Sequence, residues 1–325
     1  MIPLRIRSSG VALPDNCVTS GELDSMLHHA RGYCESRSGV AQRYFADGSL
    51  RQSRLGAQAL QDALRRADLA PAGLDLVIGA CAVPEQAIPA TAVFIAQHAG
   101  VPAGVPAFDV NASCLSFLVA LRLAAGMLAD QQYRRIAVVA VDLASRGIDW
   151  DAPEASLIFG DGAAAIILER GAGGGIESFR YATYPEGARL CQIRGGGTAH
   201  NPRTAAVPAD YLFQMDGKGV FRLASQHMGA FVADLLCDAG VTLADIDLVV
   251  PHQASHLGIE HMRRQLGIAP ERMVDIYARH GNQVAASMPS ALHHALDGQR
   301  ASTGSRLLLI GTAAGLSLGG MVLAL

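Results

Sequence analysis

The sequence predicts an α/β chain whose two halves repeat one pattern of strands and helices. One observation is a gapless self-match. Residues 62–78 align with 234–250 at an offset of 234 − 62 = 172, pairing Asp62/Asp234, Leu64/Leu236, Ala67/Ala239, Asp75/Asp247, Leu76/Leu248 and Val77/Val249. A second is the alternation of short apolar runs with amphipathic stretches, the signature of strand–helix–strand units. A third is composition: 325 residues, 50% hydrophobic, 17% charged, with 35 glycines, which is enough to bury a large core.

Each matching segment reads as the end of an amphipathic helix, a turn and a buried strand. In the first half, Phe108, Asp109 and Val110 lead to Cys114 and an apolar helix carrying Leu115, Leu118, Val119 and Ala125. In the second, Val274, Asp275 and Ile276 lead to Asn282 and a helix carrying Val284, Met288, Leu292 and Leu296. Residues 136–141 and 307–310 follow as buried strands. This order predicts two domains, 1–172 and 173–325, and places Asn282 where Cys114 sits in the first half. Between them, 181–216 is rich in Gly, Pro and Arg and lacks periodicity, which marks a long connection and a candidate lid.

Residues 307–325 carry no charge apart from the chain end and space Gly311, Gly315 and Gly319 as a GxxxG repeat. The glycines argue against a membrane helix and for two buried strands, 307–311 and 321–325, joined by a tight turn. A formal net charge of −3 gives no general attraction for nucleic acid or anionic membrane. Six scattered cysteines (17, 34, 81, 114, 191 and 237) form no CxxC pair. That predicts no metal site, no disulfide framework and a reducing cytoplasm. The N-terminus shows no signal-peptide pattern.

Three turns carry the chemistry. Cys114 opens a helix, where exposed N–H groups and the dipole favour a thiolate. His252 follows the apolar residues Leu248, Val249 and Val250, and so stands at a strand C-terminus, where sites form in open α/β sheets. Asn282 lies in His280-Gly281-Asn282, a turn of the kind that caps helices. A thiol with two hydrogen-bonding partners suits acyl transfer through a thioester. A Cys-His hydrolase on another fold uses the same residue types. The His28-His29 and His293-His294 pairs read as surface histidines.

Five segments carry a family resemblance. They are Phe108-Asp109-Val110-Asn111-Ala112-Ser113-Cys114, residues 159–165 (FGDGAAA), residues 215–222 (MDGKGVFR), Pro251-His252-Gln253-Ala254, and residues 279–287 (RHGNQVAAS). Through them the chain resembles the thiolase superfamily and, within it, the β-ketoacyl-acyl-carrier-protein synthase III group. The resemblance implies a thiolase-like five-layer αβαβα fold of two duplicated halves, a homodimer, and a Cys114–His252–Asn282 triad. It implies that Cys114 takes an acyl group from a CoA or carrier thioester. His252 and Asn282 then hold a malonyl-type thioester as it loses carbon dioxide, and backbone N–H groups of Cys114 and Ala314 form a second oxyanion site. No bound cofactor is implied; CoA and phosphopantetheine thioesters enter as substrates.

By the same resemblance, Tyr33 stands where the family's adenine-stacking Trp does, and Arg37 matches the phosphate-side arginine. Leu257 replaces the arginine five residues after the histidine, and Ala313-Ala314-Gly315 replaces a Gly-Gly-Gly turn. Lys218, Arg222, Arg263 and Arg264 form a docking patch for an acidic carrier protein. Ile88 corresponds to the position where the dimer partner closes the acyl pocket, and its modest size implies a medium or long acyl chain. The departures favour a specialised relative over the acetyl-CoA-primed housekeeping enzyme. Transfer to an alcohol, an amine or a non-decarboxylated thioester is the alternative. A non-catalytic partner subunit of a ketosynthase pair is the remote one.

Overall fold

The computed structural model describes residues 1–171 and 173–325. The N-terminal part runs β1 (Ile2–Pro3), β2 (Arg5–Ala12), β3 (Cys17–Thr19), α1 (Ser20–Met26), α2 (Tyr33–Ser38), β4 (Gln42–Tyr44), α3 (Gln52–Arg66), β5 (Leu76–Gly79), α4 (Thr91–Ala99), β6 (Ala107–Asp109), α5 (Ser116–Ala129), β7 (Arg135–Asp142), α6 (Pro153–Ser156) and β8 (Gly162–Glu169). The rest runs β9 (Gly175–Thr183), β10 (Cys191–Gln192), β11 (Gln214–Met215), α7 (Gly217–Ala239), β12 (Leu248–Pro251), α8 (His256–Gln265), α9 (Tyr277–His280), α10 (Ser287–Asp297), β13 (Arg306–Ala313) and β14 (Ser317–Ala324).

Two five-stranded sheets have the same internal order. One is β2-β8-β7-β5-β6, the other β1-β9-β14-β13-β12. In each, a parallel pair (β5 with β7, β12 with β13) continues into antiparallel neighbours. The counterpart of β6 shrinks to a single bridge, Val249 with Met273. The self-match in the sequence has a structural cause. The Asp75 carboxylate accepts the Arg134 and Arg135 N–H groups at 2.8 and 2.9 Å, and Asp247 accepts the Arg306 N–H at 2.7 Å. Each aspartate fastens the start of its central strand pair.

Helices α3 and α4 cover the outer face of the first sheet, and α7 covers that of the second with α8 packed on it. Helices α5 and α10 lie between the sheets, in the largest core cluster. This is the expected five-layer αβαβα arrangement. Fully buried Phe117, Leu118 and Leu121 on α5 anchor the middle layer, each contributing roughly 1.5–3 kcal/mol by burial.

Residues 307–325 form a hairpin, β13 against β14, as expected, with longer strands. Its glycines serve packing. A Cβ on Gly319 would lie 2.9 Å from Leu115 Cδ1 and 3.0 Å from Leu118 Cδ2; one on Gly311 would lie 2.6 Å from His252 Cβ. Among the described residues, no helix is long and apolar enough to cross a membrane.

Three expectations need correction. The 181–216 connection begins inside β9 and contains the β10–β11 ribbon, so it is not structureless. Val284 lies outside the helix: it opens a 3-10 turn at a φ of 52°, and α10 starts at Ser287. His293 is buried, with Nδ1 2.9 Å from Ser9 Oγ, whereas His294 is exposed. The boundary drawn at residue 172 lies outside the described residues. The strands of the first sheet fall within 5–169, and β1 joins the second sheet.

Candidate active site

Cys114 lies in the turn between β6 and α5. Ser113, just before it, adopts a φ of 52°. The Ser113 N–H donates to Asn111 Oδ1 at 2.9 Å, and the Ala112 N–H donates to Ser116 Oγ at 2.9 Å. The thiol is half-buried, and α5 begins two residues later, at Ser116. Burial, with smaller contributions from Cys191 and Asp142, pushes the thiol up to about 12; the backbone N–H groups of Ala314 and Cys114 oppose this. The expected helix-stabilised thiolate is therefore corrected: desolvation outweighs the helix terminus and the resting thiol is protonated.

His252 follows β12, and its backbone N–H donates to Ile310 O at 2.8 Å. Its ring is buried, and Nδ1 has no hydrogen-bond partner. Burial lowers its pKa to about 4, so the imidazole is neutral at pH 7. Asn282 is 6% exposed. Its Oδ1 accepts the Val284 N–H at 2.8 Å and Ser287 Oγ–H at 3.3 Å. Its Nδ2 donates to Ala254 O at 3.2 Å, in the turn that carries His252. One Nδ2 proton remains for a ligand. The helix cap expected of Asn282 is not formed, since α10 begins beyond it at Ser287; the oxygen instead closes a turn onto the Val284 N–H, which fixes which way the amide nitrogen points.

The two halves superimpose here differently from the expectation. In two hydrogen bonds the Asn282 turn matches that of Asn111 at an offset of 282 − 111 = 171, and Ser287 matches Ser116. Ser113 and Val284 share a φ of 52°. Asn282 thus occupies the place of Asn111, and the place of Cys114 is filled by Ala285. His252 corresponds to Ala80, whose N–H makes the same 2.8 Å bond to the neighbouring strand. One half supplies the thiol; the other supplies histidine and asparagine.

The segment 158–162 brings these turns together. The Asn282 N–H donates to Ile158 O at 2.7 Å, and the Gly160 N–H donates to Asn282 O at 3.1 Å. A Cβ on Gly160 would strike the His280 carbonyl oxygen, and one on Gly162 the Gln283 side-chain amide. The 159–165 motif is therefore the seam between halves.

A cavity of about 2220 Å³ is lined by Cys114, His252, Asn282 and Ala314, and also by Tyr33, Arg37, Lys218, Leu257 and Arg264. Ile88, Arg222, Arg263 and Gly315 are not in its wall. Ile88 is 83% exposed, at a tip of the first half. Gly315 has a φ of 134°, whereas neither Ala313 nor Ala314 has a positive φ. Alanines thus fit the turn without strain, and only its last residue requires glycine. The Tyr33 ring lies 4.2 Å from that of His29, with the Arg37 guanidinium 5.7 Å from its centroid. One carboxylate lies among the four cations and offsets one of their charges. Glu260 binds Arg263 at 2.7 Å and Arg264 at 2.6 Å, which holds its carboxyl down at about 2. Lys218 and Arg222 have no carboxylate partner among the described residues.

Three site residues were not singled out from the sequence. Asp142 ends β7, and its carboxylate accepts the N–H groups of Val83 at 3.1 Å and Ala285 at 3.0 Å; burial pushes it up to about 7. A carboxylate closing an apolar strand was its signal. Cys191 and Phe213 line the cavity from the aperiodic connection, where no pattern marks them. Among the described residues, no cluster of three or more His, Cys, Asp or Glu is placed to hold a metal ion.

The chain is similar to known proteins over nearly its whole length. The family model described as 3-oxoacyl-[acyl-carrier-protein (ACP)] synthase III matches residues 108–185, and its C-terminal companion matches 236–325. The thiolase N-terminal domain model matches 37–146. A β-ketoacyl-[acyl-carrier-protein] synthase III of Streptomyces coelicolor is 38% identical over 321 residues, 97% of this chain and 95% of the relative. One from a Chelativorans species is 34% identical over 327 residues, 99% of each. The crystal structure of 3-oxoacyl-[acyl-carrier-protein] synthase III from Aquifex aeolicus is similar at a TM-score of 0.89 and 28% identity, covering 99% of this chain and 100% of that one.

The neutral state of His252 has a consequence for stability. Its folded pKa of about 4 lies below the ordinary 6.5, so the unfolded chain binds the proton first as pH falls. Stability from this group is complete above about pH 6.5 and is lost toward pH 4, by about 3 kcal/mol. Urea denaturation across that window should show a shallower loss in His252→Asn than in the unaltered chain. Equal slopes would contradict the buried neutral ring.

Proposed function

Because the chain belongs to the 3-oxoacyl-[acyl-carrier-protein] synthase III family, we propose that it is an acyltransferase that loads an acyl group on Cys114 and condenses it with a malonyl-type thioester. The observation that carries this is convergence: Cys114, His252, Asn282 and Ala314 share one cavity, and the backbone of Cys114 and Ala314 favours the thiolate against burial.

The Cys114 thiol attacks the carbonyl of the acyl thioester. The tetrahedral oxyanion sits between the Cys114 and Ala314 N–H groups. Collapse expels the CoA or carrier thiolate, which leaves with the thiol proton, so no net proton is needed. A malonyl-type thioester then binds with its carbonyl oxygen on His252 and Asn282. A neutral imidazole with its proton on Nε2 donates one hydrogen bond, and the free Nδ2 proton of Asn282 donates the other. Loss of carbon dioxide leaves an enolate on that oxygen, stabilised by both donors. The enolate carbon attacks the acyl–Cys114 carbonyl, and the thiolate leaves and is reprotonated.

The protein works as a homodimer in a reducing cytoplasm, in fatty-acid or specialised-metabolite synthesis. The exposed Ile88 tip meets the partner's acyl pocket, and Arg222 takes part in carrier docking. Tyr33 and Arg37 bind the nucleotide end of CoA.

Incubation with an acyl thioester should add one acyl mass per chain, and Cys114→Ala should abolish it; an adduct mapped to another cysteine would sink the assignment. Asn282→Ala should still acylate but slow condensation by roughly 10²-fold or more. Equal loss of both half-reactions would make Asn282 only a turn cap.

Arg222→Glu should raise the apparent KM for carrier-bound substrate severalfold while leaving CoA substrates nearly unchanged, since rim charges act mainly on association. Similar changes for both would remove the docking role.

Each buried methylene contributes about 0.8 kcal/mol, so acyl chains of about six carbons or more should outcompete acetyl. Competition between acetyl-CoA and octanoyl-CoA tests this, with preference for acetyl as the contrary result. Ile88→Trp should shift the choice toward short chains.

A further inference from the structure

Asn111 is exposed, lies outside the cavity wall, and yet engages both ends of its amide with backbone groups. Its Oδ1 accepts the Ser113 N–H at 2.9 Å and its Nδ2 donates to Ala82 O at 2.9 Å. In the other half Asn282 makes the same two bonds, to the Val284 N–H at 2.8 Å and Ala254 O at 3.2 Å. The acceptor residues keep the repeat, 254 − 82 = 172. An exposed amide is ordinarily satisfied by water. Holding two protein groups in a geometry repeated across the halves marks a local lock.

The locked element is the left-handed residue. Ser113 sits at a φ of 52°, a conformation that costs a non-glycine residue energy and persists only when its surroundings enforce it. An asparagine two residues back that accepts its N–H is one such enforcement. At that φ the residue sits in the small left-handed region, where ψ is restricted too, and ψ of Ser113 sets the direction of the Cys114 N–H.

We propose that Asn111 is a positioning residue that locks the Ser113 turn and so aims the Cys114 N–H at the oxyanion site. It rests on the role given above to Cys114. The first half thus retains the turn-locking half of the asparagine function, while Asn282 has added a donor to substrate. Asn111 touches no substrate; it acts through the peptide that follows Ser113.

The test compares Asn111→Ala with Asn111→Ser, because a serine hydroxyl also accepts the N–H two residues on. Two readouts are followed in folded protein: the single-turnover acylation rate of Cys114, and the rate of its alkylation by iodoacetamide at one fixed pH. Asn111→Ala should slow acylation by roughly tenfold to a hundredfold with KM little changed, because the donor is misplaced rather than removed. It should also slow alkylation severalfold, since the backbone N–H that favours the thiolate is turned away. Asn111→Ser should recover most of both. An alanine variant within twofold of the unaltered chain in both readouts overturns the proposal. So does equal impairment of both variants. Should the alanine variant not fold, Asn111→Gln, which displaces the acceptor by one methylene, is read in its place. Alkylation needs no acyl substrate. Failure of this inference therefore leaves acyl labelling of the unaltered chain intact, whereas failure of the catalytic reading removes that labelling.

Discussion

Two backbone hydrogen bonds and two missing Cβ atoms hold the halves in register. Asn282 exchanges its N–H and carbonyl with Ile158 and Gly160 at 2.7 and 3.1 Å, and only glycine at 160 and 162 lets the chains come this close. Any side chain there separates the seam, and the Asn282 turn moves away from Cys114 with it. The Gln283 amide reinforces the seam by donating to Asp161 O at 3.2 Å, and the Ala285 N–H by donating to Asp142. The site is therefore a property of the interface between two similar units, and neither half contains it.

Duplication explains why the site is asymmetric. Both halves keep the same turn, the same serine behind it and the same asparagine in front. Only one turn carries a thiol, and only the opposite strand end carries a histidine. Ala285 and Ala80 stand where a second cysteine and a second histidine would be. Burial sets the charge of what remains: both the thiol and the imidazole are held neutral by desolvation, without an ion pair. In the proposed condensation, a neutral imidazole and an amide would donate hydrogen bonds to the enolate without presenting it with a cation. Their effect comes from being fixed in place beforehand.

The fold was legible because its signals are local and periodic. Asp75 and Asp247 stand out in the sequence because each caps the same strand pair, and the strands of 307–325 are marked by glycines too frequent for a helix. That Cys114, His252 and Asn282 meet at one cavity was legible from the motifs that carry them. What could not be read is whatever depends on distance in space. The sequence suggested a helix-stabilised Cys114 thiolate, but the depth of burial that cancels it comes from packing. It suggested four docking cations, but Glu260, on the same helix turn as Arg263 and Arg264, pairs with two of them and offsets one charge. That pairing follows i,i+3 and i,i+4 spacing and was in principle visible. The true partner of Cys114 in the duplication, Ala285, was hidden by five extra residues between Ile276 and Asn282 that α9 absorbs.

If one half carries the acyl group and the other the enolate, decarboxylation does not need the thiol. Cys114→Ala, incubated with a malonyl thioester alone, should still release carbon dioxide, giving the acetyl thioester and no condensation product, while Asn282→Ala should release little. Carbon dioxide release from Cys114→Ala as low as that from Asn282→Ala would contradict the division of labour between the halves.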